Sequence, residues 1–353
     1  MSSAGSSNPE YVNARVRARR AVLFDEEDYR KLVRMGTGEI ARYMEETEYK
    51  SEMNALGARH SGVDLIEYAL NLNLAKHFHD LLSWADGELH DLIANYLRKF
   101  DAWNAKTAIR GVYSGASAEE IKTDYIRAGE FDDQLLDQMA AANSLEEIVE
   151  LISETIFEEG LETAFEEFEE KDVLVPLENT IDKTFYEHLL DDVDTTNIYQ
   201  NTPRGQYIEV LQAEIDFRNI RNALRLSRTG TDLDPEEYYI VGGELFDEGE
   251  LRQLVGSFDN LVEYIRESPY GDELSGSLTD LEEADSLIQF EQALDMALLE
   301  YSDKLSYTYP VSICSAISYI LAKEREIQNI RAIARGREVG LSVEEIEEEL
   351  VVT

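Results

Sequence analysis

The chain has 353 residues, 43% of them apolar, and sets 74 acidic residues against 32 basic ones for a formal net charge of −42. The apolar fraction supports packed cores over two or three domains and excludes a wholly disordered chain. The charge excludes a protein that binds nucleic acid by neutralising phosphates with a basic face, and docking on anionic lipid by charge alone.

Only six prolines stand against abundant Leu, Ile, Ala and Glu, a balance that favours helices over strands. The single cysteine, Cys314, has no internal partner for a disulfide and reads as a small buried apolar side chain. Residues 1–10 are Ser-rich, lack the charged start and apolar run of a signal peptide, and read as a flexible tail. No stretch approaches the ~18 uncharged apolar residues of a membrane span. The longest, 310–322, reads as a core helix, so the chain is expected to be soluble or at most peripheral.

In chain order, the first pattern is Leu23-Phe24-Asp25, which opens a helix with Tyr29 and Leu32 on its inner face. A polar break follows, then a second helix near Ile40 and the motif Glu67-Tyr68-Ala69-Leu70-Asn71. A long helix capped near Asp86 closes the segment; it carries Asn104, Lys106 and Arg110 and stops at Gly115, a residue suited to a left-handed terminus. Ser117 and Glu120 then read as a capping box for the next helix.

The same order recurs. Glu130-Phe131-Asp132 is followed by Leu136 and Met139, a helix near Ile148, the motif from Glu178 to Asp182, and a long helix starting at Thr202-Pro203. That helix carries Asn219, Arg221 and Arg225 and stops at Gly230, with Asp232 and Pro235 marking the next start. This middle segment also holds an acidic helix with Phe157, Leu161, Phe165 and Phe168 on one face, read as a solvated helix with one packed side. Leu245-Phe246-Asp247 then leads to Leu251, Leu254, a helix near Leu261, the motif from Glu291 to Asp295, and a long helix from near Pro310 with Asn329, Arg331 and Arg335. It stops at Gly340, and Ser342 with Glu345 forms a second capping box.

Three markers in one order, three times over, predict an all-α chain of three similar helical domains. The boundaries fall at 1–118, 119–234 and 235–353. At 100° per residue, Ile313, Ile317, Ile320 and Ile327 lie within about 40° of Arg331, and Tyr207, Val210, Glu214 and Phe217 align with Arg221 and Arg225 in the same way. A cationic pair thus sits on or beside an apolar stripe in every repeat: Lys106 with Arg110, Arg221 with Arg225, Arg331 with Arg335. A buried guanidinium must be paired. The expected partners are the mid-repeat carboxylates Glu67, Glu178 and Glu291, together with the carbonyls at the helix ends, fixing each repeat's internal packing; a surface on which a partner docks is the other reading.

Catalytic signatures are missing from the sequence. There is no phosphate-binding Gly-rich loop, and Gly36-Thr37-Gly38 falls between helices. His77 and His79, two residues apart, point to opposite sides of a helix and make a poor metal pair. Asp132-Asp133 with Asp137, and Asp191-Asp192 with Asp194, are chance clusters in so acidic a chain, with the wrong spacing and no basic diphosphate cradle to follow. No catalytic, cofactor-binding or metal-binding residue is assigned.

Tyr11-Val12-Asn13-Ala14-Arg15-Val16-Arg17-Ala18, the run from Arg98 to Lys106 and the run from Lys323 to Ile333 resemble the C subunit of archaeal A-type ATP synthases, the equivalent of the d subunit in vacuolar-type rotary ATPases. The resemblance covers the chain from Tyr11 onwards. It implies a funnel of three helical domains about a pseudo-threefold axis, peripheral to the membrane on its cytoplasmic side. One copy per complex would couple the membrane proteolipid ring to the central stalk, with no active site or cofactor of its own. The departure from less acidic relatives is the surface charge. A free-standing helical repeat scaffold for some other protein is the alternative.

Self-repulsion at −42 weakens the fold in dilute buffer and is screened by salt, which points to a cytoplasm at molar salt. The melting temperature is expected to rise between 0.1 M and 3 M KCl, by calorimetry or far-ultraviolet dichroism; an unchanged value refutes the reading.

Overall fold

The computed structural model describes residues 7–191, 202–229, 234–283 and 287–350. Among them the chain forms twenty helices and no strand. The first stretch comprises α1 (Pro9–Arg20), α2 (Glu26–Leu32), α3 (Thr37–Met44), α4 (Lys50–Leu56), α5 (Gly62–Trp84), α6 (Glu88–Leu97) and α7 (Lys99–Ser114). It is followed by α8 (Ala118–Thr123), α9 (Asp133–Ala141), α10 (Leu145–Ile152), α11 (Leu161–Lys171), α12 (Val175–Asp191) and α13 (Pro203–Thr229). The last third holds α14 (Pro235–Tyr238), α15 (Glu248–Val255), α16 (Phe258–Arg266), α17 (Gly271–Glu283), α18 (Ile288–Thr308), α19 (Cys314–Val339) and α20 (Val343–Glu347).

Local chemistry explains the starts and stops. Asp25 and Asp247 each cap a helix through a reciprocal box, with Asp28 and Glu250 returning the bond, and Asp132 accepts the N–H of Leu135 at 2.8 Å. The three X-Phe-Asp motifs are therefore three N-caps, each satisfying donors the helix cannot satisfy itself. Ile40, Ile148 and Leu261 are fully buried at equivalent places in α3, α10 and α16. Gly115 and Gly340 close α7 and α19 with positive φ, and Ser342 with Glu345 forms a capping box on α20. Cys314 is buried and forms no disulfide.

Several sequence expectations shift. The first long helix is two helices: at Arg98 the ladder tightens, with the Arg98 N–H bonded to the Asn95 carbonyl only three residues back. It begins after Gly87 at φ 60°, and Asp86 is instead held by Asn8. The third long helix begins at Cys314 rather than Pro310, because residues 309–313 form turns before it. The N-terminal tail is shorter than ten residues, since α1 starts at Pro9 and the Asn8 amide donates to the Trp84 carbonyl at 2.8 Å. Residues 1–6, Gly230, Asp232, Asp192 and Asp194 lie outside the described residues.

Spatially the chain gathers into two compact units, one made of Met1–Asn104, Ala118–Leu136 and Asp303–Thr353, the other of Ala105–Ser117 and Asp137–Ser302. In the first, α19 packs along α5 and also touches α1, α2 and α3. Thus the helix that ends the third repeat fills the bundle that opens the first. In the second unit the same relation holds for α13, whose Phe217, Ile220 and Leu224 join one apolar core with Phe246, Leu251, Leu261, Ile265, Leu278 and Leu294. Burying aliphatic side chains of this size is worth roughly 1.5–3 kcal/mol each. The bundle that packs is therefore offset from the repeat that is read along the chain.

Candidate functional site

The cationic pairs are brought to the acidic mid-repeat motifs, and the partner always comes from the next repeat. Arg110 forms a two-pronged bond to Glu178, Nε to Oε1 at 2.6 Å and an NH2 nitrogen to Oε2 at 2.7 Å, while Lys106 reaches Asp182 at 2.5 Å. Arg225 repeats the fork on Glu291 at 2.6 Å for both bonds, and Arg221 meets Asp295. Arg335 meets Glu67, and Arg331 donates to the Asn71 side-chain oxygen at 2.6 Å. Repeat one thus binds two, two binds three and three binds one. The expectation from sequence, that these groups fix each repeat internally, is corrected here. The four-residue spacing does put them on one face, but that face is turned to the neighbouring repeat.

Each seam has a wet end and a drier end. Arg110, Arg225 and Arg335 are 55%, 53% and 54% exposed, whereas Lys106 is 14% exposed. Hydrogen bonding to Glu178 and to Glu67 pushes Arg110 and Arg335 up. Burial pulls Lys106 and Arg331 down. Burial also opposes ionisation of Asp182, but Lys106 and Arg218 beside it outweigh that and hold its carboxyl below the usual range. The third seam uses neutral Asn71 where the others use Asp, and Asn71 spends its amide on the Thr123 carbonyl at 2.8 Å.

A second set of repeated groups escapes a reading of the sequence. Three residues before each repeat Asn stands an acid, Asp101, Asp216 or Glu326, and each is buried. Asp101 accepts the backbone N–H groups of Glu130 and Phe131 at 2.8 and 2.9 Å; Asp216 accepts that of Leu245 at 2.9 Å; Glu326 accepts that of Phe24 at 2.6 Å. The long helix of one repeat therefore grips the X-Phe-Asp entry of the next. Gly129 and Gly243 make room, since a Cβ would fall 2.1 Å from the Asp101 carboxylate oxygen at the first and 2.2 Å from that of Asp216 at the second. The longer Glu326 faces an entry without such a glycine. The acid at the third position back is visible in the sequence, but its meaning depends on distant chain, 29 or 30 residues further on for Asp101 and Asp216 and 302 residues back for Glu326.

The repeat asparagines act in the same direction. Asn104 holds both polar groups of the Ile126 backbone at 2.8 Å, and Asn219 does so at Ile240 at 2.8 and 3.0 Å. Asn329 bonds the Tyr29 hydroxyl instead. Behind Glu326 sits Lys323, fully buried, whose ammonium donates to Glu326 at 2.7 Å and to the Tyr49 hydroxyl at 2.9 Å and also meets Glu48. His77 lies in this region against Tyr319 and Arg19, and burial pulls it down to about 2.

No group of three or more His, Cys, Asp or Glu suited to a metal occurs among the described residues. No helix among them is long and apolar enough to cross a membrane. The model of the family described as ATP synthase (C/AC39) subunit matches residues 12–349. A protein of Haloferax volcanii, named as the C subunit of an A-type ATP synthase, is 63% identical over 352 residues, all of both chains. Its namesake from Halorubrum lacusprofundi is 58% identical over 353 residues, again all of both chains. A third protein so named, from Methanosarcina mazei, is 35% identical over 351 residues, 99% of this chain and 94% of that protein.

The chain belongs to the ATP synthase (C/AC39) subunit family. In this member of the family, the seams and clamps join one repeat to the next, so their first effect is on assembly of the fold. Relatives from halophilic archaea account for the company in which so acidic a chain is found.

Removing Asp182 takes from buried Lys106 its carboxylate partner and leaves it close to Arg218, which keeps Glu214; Asp182→Ala is expected to cost about 2 kcal/mol or more. Glu178→Ala, across a half-exposed pair, is expected to cost less than about 1 kcal/mol; denaturant unfolding at high KCl compares the two. Asp101 supplies a pH test. Burial pushes its carboxyl up to about 7 against the two backbone donors, so the folded chain holds this proton where the unfolded chain releases it. Its contribution to stability is present at about pH 4 and is lost as pH rises towards 7. Asp101→Asn should flatten that segment of the stability–pH curve; parallel curves for both proteins would contradict the assignment.

Proposed function

We propose that this chain is the central-stalk subunit of an A-type ATP synthase that couples rotation of the membrane proteolipid ring to the stalk, one copy in each complex. The observation that carries the reading is the cyclic order of the seams, in which each repeat is latched to the next by the same two positions. Repetition of that order suits a three-repeat body, divided near 118 and 234, arranged about a pseudo-threefold axis. Such a body can receive the foot of a stalk and transmit torque, for which stiffness matters more than chemistry. The full-length likeness to proteins named as the C subunit of A-type ATP synthases supports the assignment to that complex.

On this reading the protein has no active site. It lies on the cytoplasmic side as a peripheral component, in a high-salt cytoplasm, and nucleotide chemistry belongs to other subunits. The cationic pairs serve the stiffness of the body, while contact with ring and stalk falls to other surfaces.

A tagged chain pulled from detergent-solubilised membranes at native salt is expected to bring the stalk and ring proteins with it. Recovery only as a free monomer under those conditions would overturn the coupling role and favour an independent scaffold.

A further inference from the structure

Helix α1 runs against the composition of the chain. Its 12 residues carry four arginines and one glutamate, in a protein of net charge −42. The arginines divide by face. At 100° per residue Val12, Asn13, Val16, Arg19 and Arg20 share one side, and α1 packs on α5 and α19. Arg19 donates to Asp80 at 2.5 Å and meets His77, while Arg20 meets Asp303 and Ser318. The Asn13 amide donates to the Pro310 carbonyl at 3.0 Å. Those contacts fix the helix and neutralise two of its charges.

Arg15 and Arg17 lie on the opposite side, exposed, and neither side chain has a hydrogen bond or ion pair among the described residues. Arg15 is held in place all the same. Its guanidinium carbon lies 4.6 Å from the centre of the Tyr11 ring and 5.1 Å from that of Trp84. A guanidinium set over aromatic rings keeps its N–H donors for an acceptor in its own plane. Between the two arginines run Tyr11, Ala14, Ala18 and Ala21, all exposed and within about 80° of one another. Steps of three, four and three residues make a seam on which a second helix lies, with room over the alanines for larger apolar side chains. Arg15 and Arg17 stand at the flanking positions, where charge selects the partner.

We infer that this outer face of α1 docks an acidic amphipathic helix of another protein. Charge complementarity argues for carboxylates, since each exposed guanidinium can take one in a forked bond. Pairs partly buried in direct contact are also the ones that salt screens least. The spacing argues for a helix: from Tyr11 to Ala21 the seam spans roughly 15 Å, about three turns of a partner. An anionic bilayer offers the same charge, but the −42 of the whole chain opposes its approach. The inference does not rest on the coupling role, because any protein presenting such a helix meets the same chemistry.

Amide cross-linking in freshly lysed cells at native KCl, before membrane and soluble fractions are separated, tests the inference. Arg15→Lys and Arg17→Lys, made together, place amines where the guanidinium groups stand. A carbodiimide activates a carboxylate, the amine displaces the activating group as a urea, and an amide forms only where the two touch. The expected product joins position 15 or 17 to Glu or Asp on a helical segment of a second protein, beside apolar residues spaced three and four apart. Arg30→Lys, exposed and paired with Glu26 within α2, is the control and should give no intermolecular product. Ala18→Glu, at an exposed position, should leave the melting temperature unchanged and cut the yield about tenfold by setting like charge in the seam. Absence of such a product, or a yield unmoved by Ala18→Glu, overturns the inference. So does flotation of the chain with phosphatidylglycerol vesicles that Arg15→Glu with Arg17→Glu abolishes, which would assign the face to a membrane.

Discussion

The constraint on which this structure depends is that each long helix carries polar groups it cannot satisfy itself. An acid three residues before the repeat Asn, the Asn, and a basic residue two places after it lie at or near buried positions, where an unpaired charge or amide is costly. Asp101, Asp216 and Glu326 find their donors on the entry segment of the following repeat, and Lys106, Arg221 and Arg331 find acceptors on its mid-repeat helix. No repeat is complete without its neighbour. That dependence explains why α19, the last long helix, packs into the bundle formed by α1 to α5.

The energetics of such a seam are not those of an apolar core. The outer forks, with guanidinium groups half exposed, contribute little to stability but restrict geometry, because a two-pronged bond admits one orientation. The inner groups contribute through the penalty for leaving them unpaired. The apolar cores built on Ile40, Ile148 and Leu261 supply the bulk of the folding free energy, while the polar seams select which helices meet. For the coupling role proposed above, fixed registry between repeats is the property that matters.

Departures from strict repetition are as informative as the repeats. Where Asp stands on the long helix, glycine stands on the facing entry, and where Glu stands the glycine is absent. Tyr49 and Tyr270 give a hydroxyl to Glu326 and Asp216, whereas the corresponding region of the middle repeat has Phe157, and Asp101 draws on the backbone donors of Glu130 and Phe131. Lys183 and Arg218 stand where two seams converge in the second unit, with Glu187 and Glu214 acting on them.

The all-α class, the three N-capping aspartates, the glycine stops at Gly115 and Gly340, and the repeated order of motifs were legible in the chain because each depends on neighbours within one or two helical turns. The cationic pairs were legible as a pattern for the same reason. Glu67, Glu178 and Glu291 were legible as their partners, but not which repeat supplies each one. A four-residue spacing places Lys106 and Arg110 on one face, but which helix that face meets is decided by packing between segments tens to hundreds of residues apart. Glu326 is silent in the sequence on similar grounds, since an acid in so acidic a chain carries no signal until the backbone of Phe24 is brought to it. The sequence by itself determined the helical class, several helix caps and stops and the threefold recurrence of the motifs, which are local matters of hydrogen bonding and periodicity. Only the tertiary structure decided that the repeats interlock, because burial turns an ordinary surface charge into one that must find its partner on another repeat.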